Sequence, residues 1–541
     1  MLLTLKQASQ WASEHLNKNV TPANITYLIQ YGRIETVVEN GSTLIPMQSL
    51  ADYYNLNRRE TRWKDELGDD LNWMLSFEGV KEAETTKHVH RLHPYKGKFI
   101  PQLVAYFLDL HTDNFKQDVY FQPGDIVLDP FCGSGTALVQ ANELGIHAIG
   151  IDVSAFNAFI GNAKVATYNL TRLYEESRKI TAALKNFVAT SGIVEFESKL
   201  AETLVSFNNQ YFPVSFKRQV RSGEIDQKQY GCEKEAAFLE TYRELVAEHQ
   251  IDVQMPVDSA RFIKRWYLPG VRAEIDFVHN LIGEVEDLLI QNALLLILSR
   301  TIRSCRATTH ADLGTLRKPV TTTYYCRKHG KICKPLFSIL SWWERYCKDS
   351  IGRWAEFTKL KTNTFQHCLT GDSRTTDIFT ALKQTNPQFV EFAREQRIKG
   401  IFTSPPYVGL INYHEQHAYA YDLFGFKRLD ELEIGPLFKG KGREARESYV
   451  QGVAGVFKNC KRFLADDYDV FVVANDKFNM YPTIAEIAGM HIVNQHKRPV
   501  LNRTEKNRES AYSETIFHMK EKEKRPKHLS LIHISEPTRP Y

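Results

Sequence analysis

Cysteine is scarce in this sequence: eight residues in 541, at positions 132, 232, 305, 326, 333, 347, 368 and 460. So thin a set builds no secreted disulfide framework. Long apolar runs are also missing. The stretch Ala293-Leu294-Leu295-Leu296-Ile297-Leu298 is cut by Ser299-Arg300, is far too short to span a bilayer and reads as a buried core helix. The N-terminus lacks the basic-then-apolar layout of a signal peptide. These absences place the chain in the cytoplasm with reduced thiols and no membrane partner. Charge of one sign is lacking too, with 69 Lys plus Arg against 64 Asp plus Glu and a net charge of +5. A polyanion-binding body is therefore not expected; any basic site has to be local. What remains, 43% hydrophobic and 25% charged residues, is an ordinary globular composition. The length implies roughly two to four domains.

Residues 1–56 read as a small unit. Leu5, Ala8, Trp11, Ala12 and Leu16 recur at helical spacing. Thr21-Pro22 opens a second helix, with Thr as N-cap and Pro in the first turn. Runs at 34–38 and 42–45 flank Asn40-Gly41, a strong hairpin signal, and Pro46 starts a further helix. This helix–turn–helix–hairpin order resembles the excisionase-like and MerR-like winged helix-turn-helix proteins. The resemblance implies a DNA-binding arm, with the second helix in the major groove and the hairpin on the backbone. A small helical protein-interaction module is the alternative. Residues 57–90 are polar and read as a linker with a helix around Trp63 to Leu75. Strands and helices alternate over 91–167 and again over 367–520. Such alternation indicates a parallel sheet covered by helices on both faces. Residues 168–366 read as a helical insertion, and 521–541 as a basic tail.

Two short motifs carry chemistry. In the first, the apolar run Asp125-Ile126-Val127-Leu128-Asp129 predicts a buried strand. It is followed by Pro130-Phe131-Cys132-Gly133-Ser134-Gly135-Thr136, a helix to Leu144, and a strand over 148–151 that ends at Asp152. A strand, a glycine-rich turn and a second strand closing on a carboxylate bind a nucleoside at the strand carboxyl ends. Asp152 is placed to accept from ribose hydroxyls. Leu138 breaks the G-x-G-x-x-G spacing of a dinucleotide site, and no Walker A loop exists in the chain. Asp129 to Thr136 instead resembles the S-adenosylmethionine loop of the DNA amino-methyltransferases. Cys132 within the loop reads as a packing residue.

The second motif, Ser404-Pro405-Pro406-Tyr407, follows a strand over 400–403 and matches the (Ser/Asn/Asp)-Pro-Pro-Tyr motif of the same family. An exocyclic base amine is a poor nucleophile because its lone pair is conjugated with the ring. Acceptors that bind both amine hydrogens pull the nitrogen toward a tetrahedral shape. Two prolines make the turn rigid, and an aromatic face stacks a flipped base. No Pro-Cys dipeptide is present, which excludes cytosine-C5 chemistry by a cysteine nucleophile.

The resemblance implies an α/β fold: a doubly wound, mostly parallel, Rossmann-like methyltransferase sheet with a large helical insertion and a small N-terminal winged helix. It implies Ser404, Pro405, Pro406 and Tyr407 as catalytic residues, with Ser404 and Pro405 accepting from the amine and Tyr407 as base platform. S-adenosyl-L-methionine would be held by Tyr95, Lys98, Asp129, Phe131, Gly133, Gly135, Thr136, Asp152 and Asp372. Tyr95 to Lys98 would line the methionine end, and Asp372, in Gly371-Asp372-Ser373-Arg374, would meet the adenine amine. A helix cap is the competing reading of Asp372. Ser at the first motif position favours cytosine N4 over adenine N6. RNA amino-methylation and a catalytically dead DNA-binding regulator are further alternatives. Expected partners are double-stranded DNA and a cognate restriction endonuclease on a separate chain.

The insertion is the candidate target-recognition region. Its most basic stretch, Arg300, Arg303, Arg306, His310, Arg317 and Lys318, has the residue types that grip phosphates. Cys326-x2-His329-x3-Cys333, with Cys305 and His310 upstream, has zinc-ligand types. Spacing leaves the fourth ligand open, so reduced buried cysteines are expected and no metal is assigned to the catalytic site. Positions 496–527 hold ten Lys plus Arg against five Glu, and 503–509 could lie near DNA. From Leu529 onward the texture resembles translated sequencing-adaptor read-through, to which no function is assigned.

Overall fold

A computed structural model describes all residues except 17–18, 31–33, 40–41, 57–62, 64–65, 68–70, 78–79, 257–258, 311–315, 501–510 and 523–541. The Asn40-Gly41 turn, the basic segment 503–509 and the terminal segment from Leu529 lie outside the described residues.

The N-terminal residues form β1 (Leu2–Leu3), α1 (Leu5–His15), α2 (Pro22–Gln30), β2 (Val37–Glu39), β3 (Ser42–Pro46) and α3 (Met47–Leu56). Thr4 caps α1 through a capping box with Gln7, which satisfies two otherwise orphaned amides. β2 and β3 pair antiparallel, with Val37 opposite Leu44 and Glu39 opposite Ser42. β1, which periodicity did not reveal because it is two residues long, pairs with the other side of β3. Ala8, Ala12, Ile25, Leu28, Ile45 and Leu50 belong to a hydrophobic cluster of this unit's own.

The main sheet has seven strands: β4 (Ile126–Asp129), β5 (His147–Asp152), β8 (Gln366–Thr370), β9 (Ile398–Thr403), β10 (Leu464–Ala474), β11 (Met490–Pro499) and β12 (Ser513–Glu521). Their spatial order is β11-β12-β10-β9-β4-β5-β8. β12 runs antiparallel to both neighbours, and the pairs on the β8 side of β10 are parallel. Counted along the chain this is a doubly wound sheet with one reversed strand between the fifth and sixth. Strand order changes direction at β4, so the crevice between the carboxyl ends of β4 and β9 is the topological switch point.

The central strands β4, β5, β9 and the end of β10 are buried on both faces, which explains why they read as continuous apolar runs. Side chains alternate between two cores. Ile126, Leu128, Ile401, Val470 and Val472 belong to one cluster. Val127, Phe402, Phe471 and Val473 belong to the other. The first is covered by helices Ile378–Thr385, Pro387–Gln396, Arg443–Lys461 and Tyr481–Ala488. The second is continuous with the helical insertion. Leu173, Leu184, Val278, Leu294, Trp343 and Trp354 join it, the Trp354 indole donates to Ala163 O at 3.2 Å, and the Trp343 indole donates to Thr181 Oγ1 at 2.9 Å. The insertion thus completes one layer of the sheet domain. As expected, Ala293 to Leu298 lies in a core helix, Leu288–Ser304, capped by Asp287. No helix among the described residues is long and apolar enough to cross a membrane.

Two expectations change. The segment read as a linker is docked over its described second half. Asn72 N–H donates to Lys497 O, Arg498 Nη1 donates to Leu75 O, and Leu75 and Val89 are core residues. Trp63, Leu71, Leu75 and Val89 are buried while Met74 stays exposed, so low apolar content does not mean a free strand. Within the basic stretch, Arg300 faces inward. It pairs with Asp349 at 2.5 Å, donates to Ser350 and lies over the Tyr346 ring. A solvent-facing phosphate grip is therefore excluded for Arg300.

Candidate functional site

The two motifs meet at the switch point. Asp129 ends β4 and Thr403 ends β9. Thr403 Oγ1 donates to Asp129 Oδ1 at 2.6 Å, and Phe131 N–H donates to the same oxygen at 3.2 Å. Both side chains are buried. The loop beyond Asp129 is fixed at several points. Cys132 N–H bonds Ile151 O, Ser373 Oγ donates to Pro130 O, and the buried Lys164 donates to Ser134 O at 2.6 Å. Gly133 and Gly135 adopt positive φ, +51° and +76°. A Cβ on Gly135 would lie 2.8 Å from the Gly161 Cα, so the loop touches the helix Ala155–Val165 backbone to backbone. Cys132 packs on Gly150 and Cys368, in keeping with a packing role.

Two adjoining clefts open beside this junction. The first, about 840 Å³, is lined by Tyr95, Lys98, Phe131, Gly133, Thr136, Asp152, Asp372, Ser404 and Pro406 among others. The second, about 1000 Å³, is lined by Pro405, Tyr407, Val473, Arg498, Tyr512 and Glu514. Gly97, Lys98, Phe99, Ser404 and Tyr413 border both. Nine of the expected site residues therefore gather on the first cleft, two of them shared with the second, and two more, Pro405 and Tyr407, line the second alone. Asp129 and Gly135 stand behind the first wall and support it.

Polar details refine several expectations. Asp152 already accepts from Gly133 N–H, Ser154 N–H and Asn157 Nδ2, at 2.8, 2.8 and 3.1 Å. Its carboxylate shapes the loop and keeps room for about one more donor. Asp372 follows β8 and borders the cleft, but Arg374 grips it with Nε and Nη2 at 2.7–3.0 Å. The helix cap is Asp377, so the cap reading of Asp372 falls away. Ser404 Oγ donates to Val473 O at 2.9 Å. With its proton committed, this oxygen faces other groups as an acceptor. Tyr407 OH donates to Glu514 Oε1 at 2.8 Å, and Glu514 pairs with the buried Arg498 at 2.8 Å.

Sequence reading missed Glu514 and Arg498, which reach the site from β12 and β11. It also missed Glu433, which accepts from His414 N–H on the rim of the first cleft. None sits in a local motif.

Burial sets the protonation of the wall. It pushes the Asp129 carboxyl up to about 7 against the lowering effect of Thr403 and Phe131, and Asp152 up to about 6. Burial, then Arg91, lowers the Lys98 ammonium to about 8, while its Nζ donates to His90 O.

The DNA methylase family model matches residues 30–158. The type II methyltransferase M.MjaII of Methanocaldococcus jannaschii is 43% identical over 527 residues, 96% of this chain and 97% of that protein. The chain belongs to the DNA methylase family. Shorter stretches resemble M.MvaI of Kocuria varians, 29% identical over 22% of this chain and 25% of that enzyme, and M.BsoBI of Geobacillus stearothermophilus, 33% identical over 18% of each. No solved structure gives a significant match.

The methyl donor implied for this DNA methylase is S-adenosylmethionine, and the first cleft fits it. Ser134, Thr136 and Asn157 line the cleft, and their Oγ, Oγ1 and Oδ1 are buried polar atoms with no hydrogen-bond partner among the described residues; such atoms call for a polar ligand. A Cβ at Gly133 would press on the Tyr95 ring at 3.0 Å and narrow the space.

A pH test follows from Asp129. Its folded-state value lies above the unfolded one of about 3.9. The folded state therefore holds the extra proton there, and the contribution of this carboxyl to stability falls as pH rises from about 4 to about 7. Denaturant titrations of the donor-free proteins across that range are expected to show wild-type stability falling relative to that of Asp129→Asn as pH rises. Identical slopes would assign the dependence elsewhere.

Proposed function

We propose that this DNA methylase transfers a methyl group to the exocyclic amine of a base, cytosine N4, at specific sites in double-stranded DNA. Its setting would be a restriction–modification system with a separate endonuclease. The observation that carries this reading is Ser404. It borders both clefts, and its hydroxyl proton is held by Val473 O.

In this reading the first cleft holds S-adenosylmethionine, with Tyr95, Lys98, Phe131, Gly133, Thr136, Asp152 and Asp372 around it. When bound, it supplies a methyl group activated by a positively charged sulfur. The second cleft takes the flipped base. Ser404 Oγ and the Pro405 carbonyl accept the amine hydrogens and orient the nitrogen lone pair toward the first cleft. Tyr407 offers its ring to the base, and the Glu514–Arg498 pair holds the phenol in place. The work of the chain is positioning and electrostatics.

The DNA-contacting surface is also part of this proposal. Lys96, Arg265 and Arg303 border a third cleft that shares Leu410 and Ile411 with the base cleft. Cations beside the opening suit phosphates flanking an extruded nucleotide. The N-terminal unit is read as a winged helix-turn-helix arm, with α2 and the β2–β3 hairpin toward DNA.

Nucleoside analysis of DNA from cells expressing the chain is expected to show N4-methylcytosine. N6-methyladenine without N4-methylcytosine would move the assignment to adenine. Methylation of RNA with none of duplex DNA would overturn the DNA assignment. Tyr407→Ala is expected to lower methyl transfer roughly 5- to 150-fold, the worth of one base–aromatic stack, with donor affinity unchanged. Tyr407→Phe should keep most of the rate. Equal losses of turnover and donor binding in Tyr407→Ala would count against the platform role.

A further inference from the structure

Away from both clefts, the insertion carries a two-stranded hairpin of β6 (Tyr324–Cys326) and β7 (Lys331–Cys333). Cys326 lies opposite Lys331 and Tyr324 opposite Cys333. The two cysteines therefore project from one face, diagonally placed. The connecting turn is closed by Gly330 N–H bonding Cys326 O at 2.7 Å, with Gly330 at φ +66°. This turn presents the His329 backbone N–H to the Cys326 side chain. Tyr324, Cys326 and Cys333, with Val320 against them, form a cluster separate from the large cores. So few apolar groups make a poor core, and an isolated hairpin is marginal.

Ligand atoms of His310, Cys326, His329 and Cys333 all lie within 4.8 Å of one another. His329 Nδ1 is 3.4 Å from Cys333 Sγ. A tetrahedral zinc site with Zn–S and Zn–N bonds near 2.3 and 2.0 Å has an S···N edge of roughly 3.5 Å. Tyr324 OH lies 2.8 Å from His310 Nδ1. That contact holds the ring and leaves Nε2 as the ligand atom, the support that metal-bound histidines commonly have. Cys305, the other upstream candidate, is buried in the main core instead.

We propose that His310, Cys326, His329 and Cys333 bind one structural zinc ion. Four protein ligands of Cys2His2 type close the coordination sphere, so the ion has no open position for catalysis. It staples the hairpin and the chain near His310 to each other. The hairpin is in turn clamped to the helical layer. Asn208 brackets Ile332 N–H and O, Glu235 accepts from Tyr325 N–H, and Gln227 donates to Tyr325 OH. Metal binding thereby fixes part of the insertion as folding energy. Two other groups of metal-ligand types, His88–His90–Glu143 and His414–Asp430–Glu433, are less suited. Their carboxylates are engaged by Lys87, by Arg428 and by the His414 backbone.

The test is metal analysis of the full chain purified without chelators, with thiols kept reduced. One zinc per chain is expected. Exchange for cobalt(II) should give the intense visible absorption of four-coordinate cobalt and a thiolate-to-metal band in the near ultraviolet. Cys326→Ser and Cys333→Ser should lose the zinc. His310→Asn, which leaves the hairpin cysteines intact, should weaken retention against a chelator. Cys232→Ser, at an exposed cysteine outside the cluster, should keep the metal. Wild-type protein that arrives metal-free and retains no zinc after incubation with zinc(II) and desalting would overturn the proposal. So would full zinc retention by both hairpin cysteine variants.

Discussion

The hydrogen bond from Thr403 to Asp129 joins two points 274 residues apart in the chain. It closes the carboxyl ends of the two strands that flank the topological switch point. Both chemical motifs hang from those ends. The glycine-rich loop starts one residue after Asp129, and the Ser-Pro-Pro-Tyr turn starts one residue after Thr403. The distance between the two turns, and so between their clefts, is set by this pair and by the β4–β9 ladder beneath it. A buried carboxyl with few donors is costly to ionise, which is why Asp129 sits near the middle of the pH scale rather than in the usual carboxylate range. The site accepts that strain where it fixes geometry.

Around this junction, polar groups from remote segments hold each wall. Lys164 holds the loop from behind through Ser134 O. Ser373 ties Pro130 to the turn after β8. On the other side, Tyr407, Glu514, Arg498 and Leu75 O form one hydrogen-bonded chain. Through it the docked segment before the sheet, β11 and β12 all bear on the aromatic wall of the second cleft. Removing one member of such a buried network leaves the others unpaired, which costs more than the average hydrogen bond. The insertion, sharing the core of one sheet face, completes the support.

Much of this was legible in the sequence because it is local. β4, β5, β9 and the end of β10 are short apolar runs, and the two motifs that follow β4 and β9 are contiguous strings. Two prolines and positive-φ glycines favour their turns locally, and tertiary contacts then fix them. The rest was not legible for an equally physical reason. Glu514 and Arg498 pair across adjacent strands and Glu433 meets His414, pairings that depend on strand register and loop path and leave no local motif. The polar stretch from 71 onward looks like linker because its anchors are few, yet each is buried. Arg300 looks like a phosphate ligand until Asp349 and Tyr346 are placed beside it. The choice between Cys305 and His310 as the fourth partner of the cysteine hairpin depends on which way one helix end turns, and spacing carries no information about that.

If the Asp129–Thr403 pair sets the register of the two turns, loosening it should harm the reaction more than binding. The decisive measurement is the single-turnover rate of methyl transfer by Thr403→Val, with donor affinity measured in parallel. The account predicts a rate reduced roughly 10- to 100-fold, as expected for a small misplacement of reacting groups, with donor affinity changed far less. A wild-type rate, or a loss explained entirely by weaker donor binding, would contradict it.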